Sequence, residues 1–558
     1  IDLGLAEVRI LSNEYFLNTS SYTDFEAIRQ LETIYQNLTT LGLTEQAAFY
    51  AKLILPRIIK VRMKLKDFSK SDLSQFSKSY TKLLTDFSTT FYDVGEFQLS
   101  WDVFNILKEN EFMDYLKRSE KRGYKNYDVE MNQTEKAYQA KLQMIAKEIA
   151  TYSNLLNKKN TNFSTLEALI KERANEMEIV TKEFSLQMIA NKKNHITPII
   201  KTMDGVLRAD EALLQIFVAS DKLVLNIQTG RNITIQKTIP VNTKQLRNSI
   251  LELAMLYEKN DQISNDVVIE LSEIITKPLE EYISPDVIKT IKIVTHDAFN
   301  LLPLETLLFN GQPLINNFNI SRVATIHNEK KFSKSKSLDL FYASQGNNEF
   351  SPLPSTIKEA AFIEAVTRKL YPKFKAYPNI KFDQKSFYKA LGVNNNNMHI
   401  ATHVKVGGNS PEDVRMLLGD GSTLSMDKMD QEIKSVVLDL LVLSGCDTGS
   451  ILPQSKSMQY DGLSNLFHLK GTQKVISTLW AINDHSTSMF MAIFYDILSN
   501  NDMTVSAALT MTKRLFSNSE NIDISSLNLS ETSLDLIAQL DQYKKPYFWA
   551  AFQLSESQ

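Results

Sequence analysis

The placement of glycine and proline constrains this chain more than any other feature. Residues 1–197 hold one proline, Pro56, and four glycines, whereas nine of the 17 glycines lie between Gly392 and Gly471. Glycine collects where a backbone turns sharply or comes close to another group, and proline interrupts helices. The first third therefore reads as long helices, and the 392–471 window as strands joined by tight loops. Tyr138, Leu142, Ile145, Ile149, Tyr152 and Leu156 recur at a 4-3-4-3-4 spacing, one stripe of a coiled-coil-like helix. Ser164 and Glu167 then make a capping box. Leu166, Ile170, Met177, Val180 and Phe184 carry a second stripe, interrupted by Arg173. The pattern predicts an antiparallel helical hairpin over about 130–192, either a packing arm or a partner-binding arm.

Residues 15–120 are helical in period as well. The stretch 91–101, with Gly95 between two helices, resembles the turn of a tetratricopeptide-like helix pair, without a clean period of about 34 residues. Beyond residue 205 the period shortens. Segments 213–219, 222–228 and 232–238 read as a strand meander, followed by helices near 242–259 and 264–276. Strands are then predicted at 290–295, 320–326, 338–342, 398–402, 436–444 and 474–479. Helices are predicted at 355–370, 384–391, 463–469, 486–498 and 505–516. This alternation points to an α/β fold with a mainly parallel central sheet flanked by helices. Ligands in such sheets sit beyond the carboxyl ends of the strands. The expected organisation is a degenerate helical-repeat region over 1–128 and a helical hairpin and linker over 129–200. An α/β domain follows over 201–558, with an opening meander at 205–240 and a core at 285–558.

Composition narrows the function. A length of 558 residues is a prior of three to four domains. Charged residues are 23% and apolar residues 43%, which excludes wholesale disorder. The net charge of −3 supplies no global field for nucleic acid or anionic membrane, so neither is an expected partner. No apolar run approaches the length of a membrane span. The first residue is Ile, which reads as a fragment or processed form whose targeting signal is missing. Cys446 is the single cysteine, so no internal disulfide or multi-cysteine metal site can form. That suits a reducing, cytoplasmic setting. No cofactor is expected.

Two strand ends carry the chemistry. The run 436–444 is almost continuously apolar, the mark of a central buried strand, and ends at Gly445-Cys446-Asp447-Thr448-Gly449. The strand 398–402 ends at His403, with Gly407 and Gly408 just beyond. A cysteine nucleophile needs a base within hydrogen-bond reach and donors for the oxyanion, and adjacent strand ends can supply both. His399 and His403 have a metal-like i, i+4 spacing only on a helix. On a strand they stand about 13 Å apart, which argues against a metal pair.

At these residues the sequence resembles the CHAT domain, a caspase-like peptidase family often found behind tetratricopeptide-type helices. The family pattern HIATHG, followed by LVLSACETG, is matched here by MHIATHV and LVLSGCDTG. The likeness extends over about 205–555, including LPSTIKEAAFIEAV before the His strand and KPYFWAAFQL near the end. It implies a caspase-like fold and a Cys–His dyad related to separase and caspases. Cys446 would be the nucleophile and His403 the general base and acid. The backbone N–H groups of Val404 and Cys446 would hold the oxyanion. STLWAINDHS resembles the separase-type segment that lines the first specificity pocket. That makes Asp484, and Asp447 beside the nucleophile, candidate acidic partners for Lys or Arg in a substrate. The competing reading of Asp484 is a cap on the helix that begins at Ser486, and that of Trp480 is a core residue. Two positions depart from the family. Gly445 stands where Ala is common, the milder change, and Val404 stands where Gly is usual, a β-branched residue that crowds the oxyanion site.

The leading expectation is a regulated, latent cysteine endopeptidase that cleaves a protein partner and is activated by a protein docking on residues 1–200. The alternative is a catalytically impaired caspase-like scaffold, motivated by Val404. A third reading, the protease subunit of an RNA-guided or other bacterial defence complex, comes only from the contexts in which the family occurs.

Overall fold

The computed structural model describes residues 2–18, 22–64, 70–115, 129–156, 163–194, 207–218, 222–231, 234–261, 265–324, 335–393, 396–406, 411–445 and 456–557. The chain divides into two compact units, Ile1–Lys201 and Thr202–Gln558.

The first unit is helical. Its described helices are α1 Asp2–Asn18, α2 Asp24–Thr40, α3 Thr44–Lys64, α4 Lys70–Asp93, α5 Phe97–Tyr115, α6 Gln133–Leu156 and α7 Phe163–Asn194. Local chemistry sets several of their ends. Thr23 and Glu26 form a reciprocal capping box at the start of α2. Gly42 and Gly95 close α2 and α4 with φ of +72° and +85°. In each case the residue after the glycine donates its N–H back to the last turn: Leu43 to Leu38 O and Glu96 to Phe91 O. Helices α6 and α7 run antiparallel. Tyr138 stacks on Phe184 at 4.2 Å, Lys141 faces Glu183 at 3.7 Å, and Arg173 reaches Glu148 at 3.6 Å. Tyr138, Leu142 and Ile145 of the predicted stripe are buried, while Ile149 and Tyr152 are half-buried. The hairpin shares one core with the preceding helices, where Phe49 packs edge-on against Tyr138 at 4.9 Å. Buried Lys52 ties α3 to Glu96 at 2.5 Å and to Glu135 at 2.7 Å, so the buried ammonium is paired.

The second unit is α/β. Its strands are β1 Glu211–Val218, β2 Lys222–Thr229, β3 Thr234–Pro240, β4 Thr290–Thr295, a short ribbon of β5 Leu308–Phe309 and β6 Gln312–Pro313, β7 Asn319–Ala324, β8 Ser337–Tyr342 and β9 Lys373–Pro378. They continue with β10 Asn396–Ala401, β11 Val404–Val406, β12 Val414–Leu417, β13 Thr423–Ser425, β14 Leu438–Ser444, β15 Lys474–Thr478 and β16 Phe552–Ser557. The helices that matter for the site are α8 Thr243–Glu258, α9 Asn265–Ile275, α10 Leu314–Asn317, α11 Ser355–Thr367, α12 Gln384–Leu391, α13 Met426–Glu432, α14 Lys456–Lys470, α15 Asp484–Asn500 and α16 Val505–Asn518.

The described strands form an 11-stranded sheet in the order β3-β2-β1-β4-β7-β16-β15-β14-β10-β8-β9. The opening meander β1–β3 is antiparallel, as the alternation of short β-rich segments predicts. From β1 onward the pairing is parallel, except that β16 runs antiparallel to β15. β8, β10, β14 and β15 are buried over most of their length, and β14 is the near-continuous apolar run that marks a central buried strand. The edge strand β9 has lysines at 373 and 375 and was not legible as a strand; these charges discourage pairing with another chain. A separate antiparallel sheet, β11-β12-β13, follows β10 directly, so Val404 begins a strand rather than a loop.

Candidate active site

The sheet order creates a crevice. β8 connects outward to β9, whereas β10 leads back to β14 on its other side. The loops after β8 and β10 therefore leave in opposite directions, the place where an open α/β sheet holds its ligands. β10 and β14 are parallel neighbours, with Ala401 in register with Ser444. His403 is the second residue after Ala401, and Cys446 is the second after Ser444. Cys446 and Asp447 lie outside the described residues.

The last described residue before Cys446 is Gly445, and it touches the other loop. Its φ is +128°, and a Cβ there would stand 2.3 Å from the carbonyl oxygen of Thr402. Only glycine fits such a backbone without movement. This reverses the expectation that Gly445 is the milder departure: alanine here would meet a carbonyl, and it would do so at a positive φ.

His403 is 7% exposed. Its Nε2 lies 2.7 Å from the carbonyl oxygen of Ser351, and Phe350 stacks on its ring at 5.3 Å. A carbonyl only accepts, so Nε2 carries a hydrogen and donates it. In the neutral ring Nδ1 then holds the lone pair. That is the tautomer a base needs if Nδ1 faces a nucleophile.

Val404 is 3% exposed, opposite buried Met416. Leu417 N donates to His403 O at 2.9 Å, so 403 and 417 form a bonded pair of the antiparallel ladder. Bonded and non-bonded pairs alternate, so 404 and 416 are a non-bonded pair. The Val404 N–H is therefore turned away from β12. The β-branched side chain is buried, and the Cys446 backbone that it is expected to crowd lies outside the described residues.

Asp484 begins α15 and accepts a hydrogen bond from Ser355 N at 2.8 Å. It caps α11, while Asn483 caps α15 by accepting from His485 N and Ser486 N. The capping role expected at Ser486 thus belongs to the neighbouring residue. Trp480 is a core residue: its Nε1 donates to Tyr547 O at 3.0 Å and its ring stacks on Tyr257.

Beneath the strand ends lies a polar cluster that the sequence did not single out. His399 Nε2 is 2.8 Å from Glu359 Oε1 and 3.0 Å from Ser444 Oγ, and Ser444 Oγ donates to the same Glu359 oxygen at 2.7 Å. His399 Nδ1 lies 3.2 Å from the Tyr495 hydroxyl. Burial raises the Tyr495 phenol well above its ordinary value, so it remains protonated. The residue types are those of a Ser–His–carboxylate triad, but carboxylate and serine meet the same ring nitrogen, and His399 is 0% exposed. The cluster joins α11, β10, β14 and α15 and is closed to solvent. Its one sequence signal is a glutamate and a histidine inside otherwise apolar segments.

Among the described residues, no group of three or more His, Cys, Asp or Glu side chains is placed to hold a metal ion. No described helix is long and apolar enough to cross a membrane.

The family model described as CHAT domain matches residues 266–557. No curated protein sequence matches the chain. Among solved structures, the chain is similar to the Saccharomyces cerevisiae separase–securin complex, at 11% identity and a TM-score of 0.42, covering 96% of this chain and 38% of that one. It is also similar to the Arg specific cysteine proteinase gingipain R, at 9% identity and a TM-score of 0.32, covering 56% of this chain and 74% of that one.

Proposed function

Because the chain belongs to the CHAT domain family, we propose that it is a cysteine endopeptidase acting through Cys446 and His403. The observation that carries this reading is the backbone contact between Gly445 and Thr402, the residues immediately before the proposed nucleophile and base. Register supports it, since each proposed residue follows a paired strand end by two positions.

His403 takes the proton of the Cys446 thiol, and the thiolate attacks the scissile carbonyl carbon. The negative charge that develops on the carbonyl oxygen is held by the N–H groups of Val404 and Cys446. His403 returns the proton to the leaving amine, and an acyl-enzyme remains on Cys446. Water, deprotonated by His403, attacks the thioester and releases the second product and the thiol. Asp484, with Asp447, selects Lys or Arg before the cut by charge-assisted hydrogen bonds. The helical unit binds a protein that activates the enzyme. The alternative, a catalytically impaired caspase-like scaffold, rests on crowding of the oxyanion site by Val404.

The test is cleavage by the full chain and its Cys446→Ala variant, with new protein N-termini read by mass spectrometry. The reading requires termini that the variant does not make, with Lys or Arg before the cut. Identical termini, together with a Cys446 no more reactive than a free thiol, would count against it. For the activation step, a fragment starting near residue 205 must be less responsive to partner than the full chain; equal activity refutes that step.

A further inference from the structure

The loop between β8 and α11 is a closed surface loop. Leu353 N donates to Ser344 O at 3.1 Å, which brings its ends together. Asn347 braces the inside: its Oδ1 accepts from Glu349 N and Phe350 N, and Phe350 O accepts from Asn347 N at 2.9 Å. The inner face of this loop supplies two groups that hold His403, the Phe350 ring and the Ser351 carbonyl. The outer face is fastened to the small sheet. Glu349 Oε1 lies 2.8 Å from Lys405 Nζ and 3.0 Å from an Arg415 nitrogen, and Asn347 Nδ2 donates to Gly421 O at 3.1 Å. Lys405 is two residues from His403 and pairs with Arg415 across β11 and β12. The hydrogen bond from Lys405, helped by the charge of Arg415, holds the Glu349 carboxyl below its ordinary value.

We propose that Glu349 is a positioning residue for His403: its clamp on Lys405 and Arg415 holds the 344–353 loop so that Phe350 and the Ser351 carbonyl fix the imidazole. The proposal rests on the reading of His403 as the catalytic base. In this proposal Glu349 acts on His403 through the loop and takes no part in the proton transfer itself. The three clamping side chains are partly exposed, so the clamp weakens as salt screens it.

The test uses the full chain labelled at histidine. The Nε2–H proton of His403, bonded to a carbonyl, gives a slowly exchanging NMR signal, assigned by its loss in His403→Gln. Glu349→Gln is expected to lose or broaden that signal while the other histidines stay unchanged. The wild type is expected to do the same at about 1 M salt, where the screening length is about 3 Å. Peptide cleavage should lose about tenfold in kcat with KM little changed. The charge-swapped protein, Glu349→Lys with Lys405→Glu and Arg415→Glu, should recover both signal and kcat. A Glu349→Gln protein with an unaltered His403 signal at both salt concentrations overturns the proposal. If the wild type cuts no peptide, the peptidase reading fails, while the NMR signal still decides whether Glu349 places the ring.

Discussion

The backbone of Gly445 lies against the carbonyl oxygen of Thr402, with no room for a side chain between them: a Cβ at 445 would stand 2.3 Å from that oxygen. The two loops that leave β10 and β14 are thus packed backbone to backbone one residue before His403 and Cys446. Gly445→Ala must move one loop and hold φ near +128°. We expect a loss of about 2 kcal/mol or more in stability from strain and overlap. Activity should fall further, because the loops shift relative to each other. Thermal unfolding and peptide turnover of the variant check this; wild-type values for both would contradict the packing.

Glu359 accepts from both His399 and Ser444 in a buried site. Glu359→Leu removes the acceptor that both groups use, leaving a buried hydroxyl and imidazole with only each other, and should cost about 2–3 kcal/mol. Ser444→Ala leaves the Glu359–His399 bond intact and should cost about 1 kcal/mol. Denaturant midpoints of the two variants give the comparison, and the order of the two costs is the test.

His468 binds Thr472 O through Nδ1 and Ser555 Oγ through Nε2. Burial lowers its pKa from 6.5 to about 4. Between these values the unfolded chain binds the proton and the folded chain does not, so stability falls as pH drops. The contribution is fully present above about pH 6.5 and lost by about pH 4, on the order of 3 kcal/mol. Unfolding measured across that range should be steeper in pH for the wild type than for His468→Gln. Parallel curves would show that the histidine carries none of the slope.

Asp484 accepts from Ser355 N, so removing it has two effects. Asp484→Ala should loosen the start of α11 by about 1 kcal/mol and abolish the preference for Lys or Arg before the cut. Asp484→Asn retains an acceptor for the cap but not the charge. It should keep stability while losing the preference. Cleavage profiles on a peptide library separate the two; an unchanged preference in both variants removes Asp484 from the specificity site.

The long parallel strands were legible because burial on both faces leaves continuous apolar runs, as in 436–444, where β14 occupies Leu438–Ser444. The helix expected at 384–391 is α12, Gln384–Leu391, and its start is capped by Asp383. The edge strand β9 was not, because an exposed edge carries lysines instead of an apolar run. The small sheet β11-β12-β13 was hidden for a similar reason, since its strands are three or four residues long. At the site, His403 stood out by its place after an apolar strand. The groups that hold it did not: one is a backbone carbonyl, which any residue at 351 would supply, and Glu349 meets Lys405 only through the fold. The strain at Gly445 was also invisible, because a sequence does not say which backbone it touches.

The central claim is that His403 activates Cys446, and the rate at which Cys446 is alkylated as a function of pH tests it most directly. The chain has one cysteine, so the modified residue is unambiguous. The account predicts that the wild-type thiol reaches half its maximal reactivity between about pH 3.5 and 7.5, and that His403→Gln returns this midpoint to about 8.5. Superimposable profiles for the two proteins, both centred near 8.5, would contradict the pairing.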